Sequence, residues 1–215
     1  YEDARALAHE AENIELGAFV LCNMSHLATW QRKPRIGIDH AVAAGEWAKR
    51  TNDAALRAYS ADVAARAYAA DGQPKLSFAA LDEAGTALTL TDDERQGYVY
   101  FYDEGLHLTT RCLCHLELHE PQQAVAYAER SLRTLDQSYA RNVAFTTVDL
   151  SLAYMQSDEV DEAARLLGDA GEIAACNSSA RLVRQLEQAR TGIQPWQHTA
   201  AVRTLDDRLG SYGLA

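Results

Sequence analysis

Cys112, Cys114, His115 and His119 are the residues of this 215-residue sequence whose types most readily suggest chemistry. On a helix, Cys112, His115 and His119 stand at i, i+3 and i+7 on one face and could supply three of the four nitrogen or sulfur ligands that zinc usually takes. A single helix closes a tetrahedral site poorly, and no second ligand set is evident. Cys112 and His115 also coincide with a small and a bulky packing position of a repeat, so the spacing predicts packing, with no metal and no cofactor. Asp92, Asp93 and Glu94, with Asp103 and Glu104 further on, form a carboxylate-rich stretch. The first three would sit in a first helical turn, where they complement the helix dipole. No Ser-His-Asp order, glycine-rich phosphate loop or His-Glu-x-x-His spacing occurs, so the sequence predicts a binding protein rather than an enzyme.

The elements that position these residues are helices. Apolar residues make up 47% and charged residues 24% of the chain, values of an ordinary globular protein, and the apolar residues recur at three and four. Pro34, Pro74, Pro121 and Pro195 each precede a fresh periodic stretch, as suits a residue favoured in a first helical turn. The pattern predicts helices over 2–11, 14–30, 34–50, 54–70, 74–88, 92–118, 121–135, 138–156, 159–174, 178–192 and 197–210. Thr91 with Glu94 reads as a capping box opening the long sixth helix, on which Tyr98, Phe101 and Tyr102 would share a face.

Aligning the prolines exposes a repeat. Ser25, Ala65, Cys112 and Ser151 recur at spacings of 40, 47 and 39 residues, each followed three later by Ala28, Tyr68, His115 or Tyr154. Twelve residues after each comes a second small residue, Gly37, Ser77, Ala124 or Ala163. Small residues facing one another across a helix pair are the tetratricopeptide (TPR) pattern, although that repeat's usual period is about 34. The expectation is an all-α, TPR-like right-handed solenoid of about eleven helices, forming a single domain over residues 1–215. Offsets from the small residues then place Asn23, His26, Trp30, Tyr59, Asp62, Arg66, Asn142, Phe145 and Asp149 on the inner face, with Phe19, Thr109 and Glu117 beside them. Rings mixed with amide, guanidinium and carboxylate groups suit an extended peptide or a small polar molecule. The alternative is that the same residues form a solvated inner face or pack between repeats.

Four stretches carry a family resemblance: Asn23 to Ala28 with Trp30, Tyr100 to Leu106, Cys114 to Val125, and above all Ser179 to Leu209 with its Pro195-Trp196 and final AVRTLDDRL. They resemble the C-terminal TPR-like regions of actinobacterial transcriptional regulators, in which a helix-turn-helix of the λ-repressor (XRE) type precedes the repeats. The resemblance covers essentially the whole chain. It implies an effector-sensing and dimerisation module that binds a peptide or small molecule, works as a homodimer and meets DNA only through a preceding domain. The alternative is a constitutive protein-protein interaction scaffold without an effector. The net charge of −11, from 20 Lys and Arg against 31 Asp and Glu, opposes direct contact with a phosphate backbone. The missing initial methionine suggests a segment removed upstream. Four cysteines and the lack of long apolar runs lead us to expect a cytoplasmic protein with no membrane partner.

Overall fold

The structure is a computed structural model that describes residues 1–91, 97–177 and 179–214. The described residues form eleven α-helices and no strand: α1 (Glu2–Glu10), α2 (Ile14–Trp30), α3 (Pro34–Ala48), α4 (Ala54–Ala70), α5 (Pro74–Leu88), α6 (Glu104–Glu117), α7 (Pro121–Thr134), α8 (Ala140–Gln156), α9 (Val160–Ala175), α10 (Ala180–Gly192) and α11 (Ala200–Ser211). A 3₁₀ turn, Gln194–Trp196, holds Pro195. None of these helices is long and apolar enough to cross a membrane.

Local chemistry explains the boundaries. Pro34, Pro74 and Pro121 open their helices, while Asn13, Asp53, Ser179 and Thr199 each accept a backbone N–H of the first turn. The turns between paired helices are built alike. Glu12, Arg32, Gly72, His119 and Asp158 all take left-handed φ values between 53° and 71°. After each of them, the next backbone N–H bonds five residues back at 2.9 Å, to the carbonyls of Ala8, Ala28, Tyr68, His115 and Tyr154. This is the Schellman closure. The last four of these turns are spaced 40, 47 and 39 residues, the periods seen in the sequence, and only one of them uses glycine.

The small-residue columns lie where the helices approach closely. Ser25, Ala65, Cys112 and Ser151 are fully buried, as are Ser77, Ala124 and Ala163 opposite them. A Cβ on Gly37 would stand 3.2 Å from the Ser25 carbonyl oxygen, and the Ser151 hydroxyl donates to the Ala163 carbonyl at 3.0 Å.

By packing, the chain divides into two compact units, residues 1–110 and 111–215, with the boundary inside α6. In unit 1, α2 packs on α3, α3 on α4 and α4 on α5, and α2 also meets α4. In unit 2, α8 packs between α7 and α9, α10 lies on α8 and α9, and α11 lies on α9.

One expectation fails. Of the long helix expected over 92–118, the described residues are helical only over Glu104–Glu117, and residues 98–101 form turns. Gly97 takes φ 102°, which favours glycine, and Asp103 Oδ1 accepts the Leu106 N–H at 2.9 Å to start α6 afresh. Thr91 donates its hydroxyl to the Leu88 carbonyl, and the expected capping box with Glu94 lies outside the described residues. Asp92, Asp93 and Glu94 lie outside the described residues.

Candidate functional site

Among the described residues, aromatic and ionisable side chains gather in unit 1 along the seam between α2 and α4. Trp30, the last residue of α2 and 49% exposed, stacks on His26 with ring centroids 5.6 Å apart and planes 14° apart. His26 Nε2 lies 3.2 Å from the Tyr59 hydroxyl on α4, which ties the helices across the seam. Beneath, the Tyr59 ring meets Phe101 and Tyr102 edge-on at 5.5 and 5.3 Å.

A buried polar cluster underlies the rings. Asp62, 3% exposed, places Oδ1 2.8 Å from Nδ1 of His107, itself buried on α6. A carboxylate can only accept, so Nδ1–H donates. The Tyr102 hydroxyl lies 3.3 Å from the same nitrogen and is hydrogen-bonded to Asp62. Burial, and then the negative charge of Asp62, push the Tyr102 phenol well above its usual pKa. Asp62 therefore joins α4 to α6, and its carboxylate is not displayed on the surface. Its i+4 neighbour Arg66 is half-buried and makes no ion pair with any described residue. On α2, Asn23 turns its amide back to the Phe19 carbonyl at 2.9 Å.

Unit 2 holds the other predicted residues, and α10 covers much of them. Gln185 Nε2 donates to Asp149 Oδ1 at 2.9 Å, and the Arg181 guanidinium sits 4.9 Å from the centre of the Phe145 ring. Asp149 is 2% exposed, and Asn142 is half-buried near the start of α8. Thr109, which belongs to unit 1, is buried and donates to the Gly105 carbonyl at 3.2 Å, while Glu117 of unit 2 is exposed at the end of α6.

The cysteine-histidine face is interrupted. The helix ends at Glu117, so His119 falls in a left-handed turn and leaves the face of Cys112 and His115. His115 Nδ1 donates to Glu120 Oε2 at 2.7 Å and stacks on Tyr127 at 5.2 Å. Arg111 and Arg130 place their guanidiniums 5.5 and 5.8 Å from the same ring. Burial, with the nearby Asp149 charge, raises the Cys112 thiol pKa far above its ordinary value. No group of three His, Cys, Asp or Glu among the described residues is arranged to hold a metal ion.

Sequence reasoning missed His107 and the polar role of Tyr102. The available signal was Asp62, a carboxylate inside the Ala-rich run of α4, which demanded a donor from elsewhere in the chain. No protein-family model, curated protein or solved structure matches the chain.

Proposed function

We propose that the chain is the effector-sensing and dimerisation module of a transcriptional regulator, and that the effector binds on the α2–α4 seam of unit 1. The observation that carries the reading is the exposed stack of Trp30 on His26, held by Tyr59 and lying on the same side of α4 as Arg66. A large exposed ring fixed by a ring-to-hydroxyl tie is preorganised for a ligand, because little side-chain freedom remains to be lost on binding. The resemblance of residues 179–209 to the C-terminal regions of helix-turn-helix regulators, together with the net charge of −11, supports a sensor that leaves DNA contact to another domain. The module acts by binding and needs no cofactor.

The test uses the low-molecular-mass fraction of a host-cell extract. The wild-type melting temperature should rise with added fraction, since a ligand that binds only the folded state stabilises it, and light scattering should report a change in oligomeric state. Trp30→Ala should show neither response. An unresponsive wild type would favour a constitutive interaction scaffold.

A further inference from the structure

We infer that the seam takes a ligand that joins a planar ring to a carboxylate. The inference rests on the reading that unit 1 carries an effector site, and it names the chemistry of that effector.

Register brings the two recognition elements together. His26 and Tyr59 touch, so Trp30, one turn further on α2, and Arg66, two turns further on α4, continue the same seam. They stand about 6 and 10 Å along their helices from the touching pair. A second contact, made through α3, also brings these turns of α2 and α4 close together. A Cβ on Gly37 of α3 would meet the Thr29 hydroxyl at 2.5 Å and the Ala67 Cβ at 3.6 Å, so residues 29 and 67 reach the same level. Trp30 and Arg66 are their immediate neighbours.

The two elements ask for different things. Trp30, backed by His26, offers a ring for stacking. Arg66 is a half-buried guanidinium whose nearest carboxylate in sequence, Asp62, is committed to His107 and Tyr102. A planar fork of N–H donors with no ion-pair partner among the described residues matches a carboxylate through two parallel hydrogen bonds. The surroundings reinforce the sign. Arg32, Lys33 and Arg35 are exposed around the turn that follows Trp30, and Arg35 pairs with Asp71 at 3.5 Å. In a chain of net charge −11, four basic side chains, Arg32, Lys33, Arg35 and Arg66, are gathered with Asp71 at this end of unit 1. Trp30 and Arg66 lie toward the C-terminal ends of α2 and α4, whose dipoles oppose any anion and a dianion such as a phosphate ester about twice as much as a carboxylate, so the guanidinium has to supply the attraction and a monoanion is the better match.

Such chemistry is found in a free aromatic acid and in the C-terminal residue of a peptide. Calorimetric titrations with indole-3-acetate and with the tripeptide Ala-Ala-Trp represent the two sources, and the amide of each serves as the uncharged control. We expect at least one acid to bind and its amide to bind at least tenfold more weakly, with Arg66→Ala weakening the acid by a similar factor and leaving the amide unchanged. Arg66→Lys should fall between, because it keeps the charge and loses the fork. The tighter acid identifies the source. Equal binding of acid and amide, or an Arg66→Ala variant that melts like the wild type and binds the acid undiminished, would overturn the proposal. If neither acid binds while the extract fraction still stabilises the protein, the ligand class is overturned and the effector site stands. If the fraction also fails, both fall.

Discussion

The first and second units use one repeat pattern to different ends. At the position following the small residue of each first helix, unit 1 carries His26 and Arg66, whereas unit 2 carries Leu113 and Leu152, both packed into apolar clusters. Six residues before the small residue stand Phe19 and Tyr59 in unit 1 and Phe145 in unit 2. Phe145 is met by the Arg181 guanidinium, and the nearby Asp149 receives Gln185, so the polar groups of α8 are answered by α10. In unit 1 the corresponding seam ends on an exposed indole and a guanidinium with no ion pair among the described residues. A repeat scaffold fixes where side chains fall; the proposed site is the seam on which Arg66 makes no ion pair among the described residues.

The strongest way to break this comparison is Asp62→Ala. It leaves His107 and Tyr102 buried without their acceptor and should destabilise unit 1 by about 3 kcal/mol. Cys22 and Cys112 are buried in clusters of units 1 and 2 respectively, so thiol-labelling rates report the opening of each. Labelling of Cys22 should accelerate more than that of Cys112; equal acceleration would mean that the units open together. Asp149→Ala is the counterpart in unit 2. It takes the buried acceptor from Gln185, which is itself partly exposed and can turn to water, and should cost about 1–2 kcal/mol by urea denaturation, less than Asp62→Ala.

How much of this was legible beforehand divides by range. The bounds of α2, α4 and α5 follow from proline, capping residues and periodicity, all local signals, and the structure has them at 14–30, 54–70 and 74–88 as expected. The repeat spacing was legible because close packing demands small residues at fixed intervals. Residues 97–103 misled because Tyr98, Phe101 and Tyr102 have helical spacing, while what decides their conformation is a glycine at positive φ and the Asp103 cap. The joining of Asp62 to His107, and of Asp149 to Gln185, bridges 45 and 36 residues of sequence, and nothing local specifies either.

Alkaline stability sharpens the contrast through two tyrosines. Tyr102 in unit 1 is raised well above the ordinary phenol value, chiefly by burial, and Tyr154 in unit 2 is raised by burial and then by Glu129, Glu162 and Glu159. A phenol with a higher pKa folded than unfolded contributes stability that is complete below the unfolded value of about 10 and lost as pH rises beyond it. Tyr102→Phe should therefore flatten the alkaline fall in melting temperature more than Tyr154→Phe does. The smallest expected effect is that of Trp30→Ala, within about 0.5 kcal/mol of wild type, as befits an exposed side chain kept for something other than packing. A loss above about 2 kcal/mol, the scale of a large buried side chain, would return Trp30 to the core.

The most direct measurement is backbone and side-chain NMR of the isotopically labelled chain titrated with the aromatic acid that binds in calorimetry. The account predicts shifts confined to the Trp30 indole, the His26 ring, the Tyr59 ring and the Arg66 guanidinium, with Phe145, Asp149 and Gln185 unmoved. Shifts centred on α8 and α10, with the α2–α4 seam silent, would contradict it.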